Sequence, residues 1–104
     1  QKGGHMNNFQ GSGKITRNAI VRGDKKRVLL FTIAASSEVR KGIDFIPCTL
    51  FESDEELIKL LTERGKGLEV EFTGYVATSR VQQDGTVRYF TRVIINPESL
   101  NVLE

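Results

Sequence analysis

Gly74-Tyr75-Val76-Ala77-Thr78-Ser79-Arg80-Val81-Gln82-Gln83, then Asp84-Gly85, then Thr86-Val87-Arg88-Tyr89-Phe90-Thr91-Arg92-Val93-Ile94-Ile95, reads as two β-rich runs joined by a two-residue turn. Asp-Gly between such runs is a strong hairpin signal, because a type I′ turn needs positive φ at both central residues. With Asp84-Gly85 at the tip, Val81 faces Arg88, Arg80 faces Tyr89 and Ser79 faces Phe90. Three arginines and two aromatics therefore gather within a few ladder steps, opposed only by Asp84. Guanidinium groups beside ring faces are what a surface needs to hold phosphates and stack unpaired bases. The alternative is a solvated hairpin whose Tyr89 or Phe90 folds into the core, since sheets are rich in aromatics in any case.

Working back from the hairpin, residues 53–65 carry helix signals. Ser53-Asp54-Glu55-Glu56 reads as a capping box whose acids complement the helix dipole. Leu57, Ile58, Leu60 and Leu61 supply the apolar face, and Gly65 is the expected stop. Residues 43–51 form a strand in which Ile46, Cys48 and Leu50 face inward and Phe45, Pro47, Thr49 and Phe51 face out. Outward phenylalanines are costly unless bases, a neighbouring subunit or the long hairpin cover them. A reversed parity, with the rings in the core, is the competing reading, since a one-residue slip moves every side chain to the other face.

Further upstream, residues 27–36 are a strand with Leu29, Phe31, Ile33 and Ala35 on one side. Gly23-Asp24-Lys25-Lys26 turns the chain, and residues 19–22 are extended. Residues 8–16 alternate Phe9, Gly11, Gly13 and Ile15 with polar residues, a glycine-rich strand expected at a sheet edge where it can pair with another copy. After the hairpin, Pro97 ends the last long strand and residues 100–103 add a short return. Five strands with one helix between the third and fourth is the order of the OB-fold, so an all-β, five-stranded Greek-key barrel is expected.

The chain has 104 residues, which suits one small domain. Residues 1–6 read as an expression-tag remnant, which removes His5, the sole histidine, from consideration, and 7–104 as one OB-fold nucleic-acid-binding domain. No run suggests a membrane span or a signal peptide, and a reducing cytoplasm is the expected compartment. Cys48, the single cysteine, sits in the apolar run Ile46-Pro47-Cys48-Thr49-Leu50 and reads as a small buried hydrophobe.

Net charge is +2, but unevenly placed. Residues 14–41 hold eight bases (Lys14, Arg17, Arg22, Lys25, Lys26, Arg27, Arg40, Lys41) against Asp24 and Glu38, a local +6. Residues 52–71 hold seven acids against Lys59, Arg64 and Lys66, a local −4. Separated signs suit a chain that turns one face to a polyanion and keeps the other solvated.

Enzymatic readings are poor. Without the histidine there is no Ser-His or Cys-His pair, no Cys/His cluster suits zinc, and no metal or cofactor is expected. Gly11-Ser12-Gly13-Lys14 lacks the first glycine and the Ser/Thr that a phosphate loop requires. The adjacent Glu55 and Glu56 are helix-start acids.

Several stretches together resemble the bacterial-type single-stranded DNA-binding proteins. They are Gly13-Lys14-Ile15-Thr16 with Val21-Arg22, Phe31-Thr32-Ile33-Ala34-Ala35-Ser36, and Asp44-Phe45 through Leu50-Phe51. Leu60-Leu61-Thr62-Glu63-Arg64-Gly65-Lys66-Gly67 follows, and then Gly74-Tyr75-Val76-Ala77-Thr78-Ser79-Arg80 with Arg88-Tyr89-Phe90-Thr91. The resemblance implies an OB-fold that binds single-stranded DNA with little sequence preference, acts in replication, recombination or repair, and assembles as a homodimer or homotetramer. Replication or recombination proteins are further expected partners. The chain would be a short, divergent member without tryptophans. Phe45 stands at one customary tryptophan position and Phe51 at the usual phenylalanine, while Val39 and Val81 stand where tryptophans are common. Weaker binding or a smaller site is expected, with Tyr89 or Phe90 compensating in part.

The candidate nucleic-acid contacts are thus Phe45, Phe51, Thr49, Lys14, Arg17, Arg22, Arg80, Arg88, Tyr89, Phe90 and Arg92. Two other readings remain: an OB-fold scaffold for protein partners, of replisome or primosome type, with the outward rings as the contact, and an RNA-binding module using the same stacking and charge.

Overall fold

The structure is a computed structural model describing residues 6–39 and 41–103; the tag reading of residues 1–5 and the basic Arg40 lie outside the described residues. In chain order the elements are β1 (Phe9–Ile15), β2 (Ile20–Arg22), β3 (Val28–Ser36), β4 (Ile43–Phe51), α1 (Glu55–Arg64), β5 (Glu69–Gln83), β6 (Thr86–Ile95), a 3₁₀ turn (Pro97–Ser99) and β7 (Asn101–Leu103).

Five of the strands close on themselves. β1 pairs antiparallel with β3 at Lys14 and Ile15 and with β5 from Phe9 to Lys14, β3 pairs with β4 along its length, β4 runs parallel to β6, and β6 returns along β5. This is the expected OB-type Greek-key barrel, with α1 between its third and fourth strands. Short β2 extends the sheet from β3, and β7 from β5.

Period-two alternation fills the interior. Ile15, Leu29, Ile33, Cys48, Leu50, Val70 and Ile95 are fully buried, and Leu61 and Ile58 of α1 cover one end. Phe9 stacks on Phe72 with ring centroids 5.8 Å apart. The helix is tied to the β1–β2 connection: Ala19 N–H donates to the Leu61 carbonyl, and the Asn18 side chain donates to the Glu63 carbonyl while accepting from the Lys66 N–H.

Three expectations need correction. The cap of α1 is Asp54, whose carboxylate accepts from the Glu56 N–H at 3.0 Å, and not Ser53; Glu52 instead satisfies the N–H groups of Ser53 and Asp54. Gly65 ends the helix in ordinary right-handed geometry, and the left-handed residue is Gly67 at φ +89°. Gly65 is required by crowding, since a Cβ there would lie 2.3 Å from the Leu61 carbonyl oxygen. Finally, β1 is an edge over its first half only and does contribute to the core: Ile15 is buried, Phe9 packs inward, one side of β1 is paired with β5, and Lys14 and Ile15 also pair with β3.

The other side of β1 stays open over its first half. Ile15 N–H donates toward β5, at the Leu68 carbonyl, and Thr16 N–H toward β3, at the Thr32 carbonyl. Alternation along the strand then aims the N–H groups of Gln10 and Ser12 at the open edge. Where β1 begins, the Asn7 side-chain amide continues the ladder, accepting from Val76 N–H at 2.9 Å and donating to the Val76 carbonyl at 2.7 Å.

Candidate nucleic-acid interface

β4 carries the centre of the site. Its parity is the expected one, with Cys48 and Leu50 fully buried and Phe45 and Phe51 exposed by 66% and 50%. Six residue steps of strand separate the two rings, about 20 Å along the sheet. Burial pushes the Cys48 thiol from the ordinary 9.0 up to about 12, with the nearby Arg92 charge opposing the shift. It is a packing residue, as its apolar run implies.

Thr49 departs from expectation. It points to the outer face with the phenylalanines but is only 6% exposed. Arg92, from the neighbouring β6, lies over it: Nε donates to Thr49 Oγ1 at 2.7 Å, and Nη2 donates to the Cys48 carbonyl. Thr49 is therefore covered, and its role is to fix Arg92. No carboxylate among the described residues forms an ion pair with Arg92.

The hairpin has the expected register, with Arg80 opposite Tyr89, Ser79 opposite Phe90 and Val81 opposite Arg88. Asp84 and Gly85 take φ of 52° and 75°, as a type I′ turn demands. Tyr89 and Phe90 are 67% and 51% exposed, so neither ring folds into the core. Register also divides the cluster. Odd residues of β6 share the side of the inward Val93 and Ile95, so Arg80 and Tyr89 lie on one face of the arm. Arg88, Phe90 and Arg92 lie on the other, continuous with the outer face of β4.

Across that outer face, register aligns side chains in rows. Lys14, Ala34 and Phe45 form one row over β1, β3 and β4. Arg22, Val28 and Phe51 form another over β2, β3 and β4. Ile20, Leu30, Thr49, Ile94 and Tyr75 form the row between. Lys14 and Arg22 are thereby brought to the rim of the ring-bearing surface. Arg17 is exposed in the β1–β2 connection, beside the Asn18 that holds the helix exit, and is not in these rows.

The charge segments are not wholly separated in space. Arg27 Nη1 reaches Glu55 Oε1 at 2.8 Å, and Lys14 Nζ lies 4.0 Å from Glu69 Oε1. The turn before β3 sits against the start of α1, and β1 against the start of β5, so each pair joins the basic segment to the acidic one. Lys25 and Lys26 were not among the candidate contacts, yet they line an open groove with Phe51 and Pro97. Tyr75 and Ile20, both exposed, were also overlooked. The signal for the lysines was their place in the turn that leads into β3, whose first residue Val28 pairs with Phe51.

Among the described residues no group of His, Cys, Asp or Glu could hold a metal ion, and no helix is long and apolar enough to cross a membrane.

No protein-family model and no curated protein matches this chain. Solved structures do. The chain is similar to the Plasmodium falciparum SSB in complex with ssDNA, with a TM-score of 0.79 and 16% identity over 100% of both chains. It is also similar to Rim1, the mitochondrial single-stranded DNA binding protein of S. cerevisiae, in two crystal structures. These give TM-scores of 0.69 and 0.68 at 22% and 20% identity, covering 93% of this chain and 94% of that one. At such identities the likeness establishes the fold.

Proposed function

We propose that this chain binds single-stranded DNA with little sequence specificity and protects it during replication, recombination or repair. Bases stack on Phe45 and Phe51, with Tyr89 and Phe90 as further rings and Arg92 as the cation at the centre of the face, and phosphates follow Lys14 and Arg22 at the rim, Arg17 in the β1–β2 connection, and Arg80 and Arg88 along the hairpin. The observation that carries this reading is a pair of phenylalanines held half to two-thirds in solvent on one strand, with an arginine that has no carboxylate partner among the described residues fixed between them. Burial inside the barrel would have been the default for such rings. Likeness to barrels named as single-stranded DNA-binding proteins, one bound to ssDNA, supports the same reading.

A titration with single-stranded and duplex oligonucleotides at two salt concentrations tests it. Duplex bases are stacked on each other and cannot use ring platforms, so the single strand binds much more tightly; equal affinities would reduce the site to a merely basic surface.

The proposal includes assembly. The open edge of β1, with the Gln10 and Ser12 N–H groups unpaired among the described residues, suits antiparallel pairing with the same strand of a second copy, and a two-fold dimer can build a tetramer. A strand of DNA would then run over more than one barrel.

A further inference from the structure

Arg92 is held in a way that ordinary phosphate contacts do not require. A guanidinium has five N–H donors. Nε and one Nη2 hydrogen, which share one edge of the plane, are committed to Thr49 Oγ1 and the Cys48 carbonyl. The end-on edge, made of Nη1 and the second Nη2 hydrogen, finds no acceptor among the described residues. The result is a planar two-donor fork, half-buried, fixed in orientation, and positioned between the outward rings of Phe45 and Phe51.

We infer that Arg92 reads a base, and that it gives this face a preference for guanine at the position between Phe45 and Phe51. The inference rests on the single-strand reading above. The exposed cations that suit phosphates, Lys14, Arg22, Lys25 and Lys26, stand at the rim of the ring-bearing surface, whereas Arg92 stands at its centre, where bases lie if rings stack them. A pinned fork needs two adjacent acceptors in one plane. Guanine offers O6 and N7, the commonest bidentate partner of arginine, and a single strand leaves that edge open. Adenine sets an amino donor beside N7, and thymine offers isolated carbonyls. Cytosine has N3 and O2, but its smaller ring leaves less surface for the neighbouring phenylalanines.

The test compares fluorescein-labelled nine-residue oligothymidylate with the same oligonucleotide carrying one central dG, dC or 7-deazaguanine. The dG oligonucleotide should bind tighter than oligothymidylate by on the order of tenfold. 7-Deazaguanine, which lacks the N7 acceptor, should lose most of that gain without any change to the protein. Arg92→Lys keeps the charge but not the fork, and Thr49→Val removes the acceptor that fixes it; each should bring the dG-to-dT affinity ratio near one. Equal binding of dG and dT by the unaltered protein overturns the inference, as does a dC gain exceeding that of dG. So does an Arg92→Lys variant that weakens both oligonucleotides with the ratio preserved, which would make Arg92 a phosphate contact. Failure to bind any oligonucleotide would overturn the single-strand reading as well, whereas normal oligothymidylate binding without a guanine gain overturns this inference alone.

Discussion

Lys14 and Phe45 flank the same residue, Ala34, each its direct cross-strand partner on the outer face. Two strand spacings, about 10 Å, separate their backbones. The methyl group between them leaves both the ammonium and the ring accessible, so a base on Phe45 would bring its phosphate within reach of Lys14. A larger residue at 34 would close that gap. Charge and stacking are thus adjacent but carried by different side chains, and they can be removed separately.

Phe45→Ala and Phe51→Ala should each lower affinity for single strands by about 1–3 kcal/mol. Both rings are exposed, so the thermal midpoint should move little. The slope of log affinity against log salt should stay nearly constant, because no cation is lost. Variants that bind DNA normally but change the native mass would assign the rings to a subunit contact instead.

Neutralising one cation has the opposite signature. Arg22→Gln, Arg80→Gln or Arg88→Gln should reduce the magnitude of the salt slope by about 0.7 for each phosphate contact removed. Arg27→Gln should change it least, because that guanidinium is already paired with Glu55. Titrations at four salt concentrations measure both.

Proline at Gln10 or Ser12 should weaken assembly while leaving the barrel folded, since the N–H removed points to the open edge of β1 and not toward β5. Sedimentation at micromolar concentration checks this. A single 11.6 kDa species for the unaltered chain would refute assembly.

Gly74→Ala should destabilise the chain by about 2–4 kcal/mol, because its Cβ would lie 2.1 Å from the Ile94 carbonyl oxygen at the base of the hairpin. Gly85→Ala has open space around it and only the positive φ to oppose it, a cost of about 1 kcal/mol. Urea midpoints should rank the two.

Alkaline stability should report Cys48. Its folded pKa lies above the unfolded value, so the neutral thiol is favoured in the folded state. Stability is therefore full below pH 9 and falls as pH rises from 9 toward 12, with the unfolding constant about tenfold larger at pH 10 from this group. Cys48→Ala, less stable overall, should lack that particular fall in urea melts across the range.

Much of the fold was legible because its signals are local. Asp84-Gly85 dictates its own turn, and the alternation across Ile46, Cys48 and Leu50 fixes which way Phe45 and Phe51 point. What the sequence hid depends on distant partners. Thr49 is buried by an arginine 43 positions away. Lys25 and Lys26 gain their meaning only when β3 sets their turn beside Phe51. Ser53 and Asp54 are equally good caps by residue type, and the strand entering α1 decides between them.

β4 meets β6 at Cys48–Val93 and Thr49–Ile94, a short parallel join compared with the long ladders of β3 with β4 and β5 with β6. A barrel breathes at its brief seams, because local opening there breaks few backbone hydrogen bonds, and this join is as short as that of β1 with β3. Arg92 crosses that seam as a latch, rooted in β6 and bonded to two groups of β4. Amide protons on either side of it should exchange faster than those of the β3–β4 ladder, and anything gripping the free edge of Arg92 would slow them by holding the latch shut.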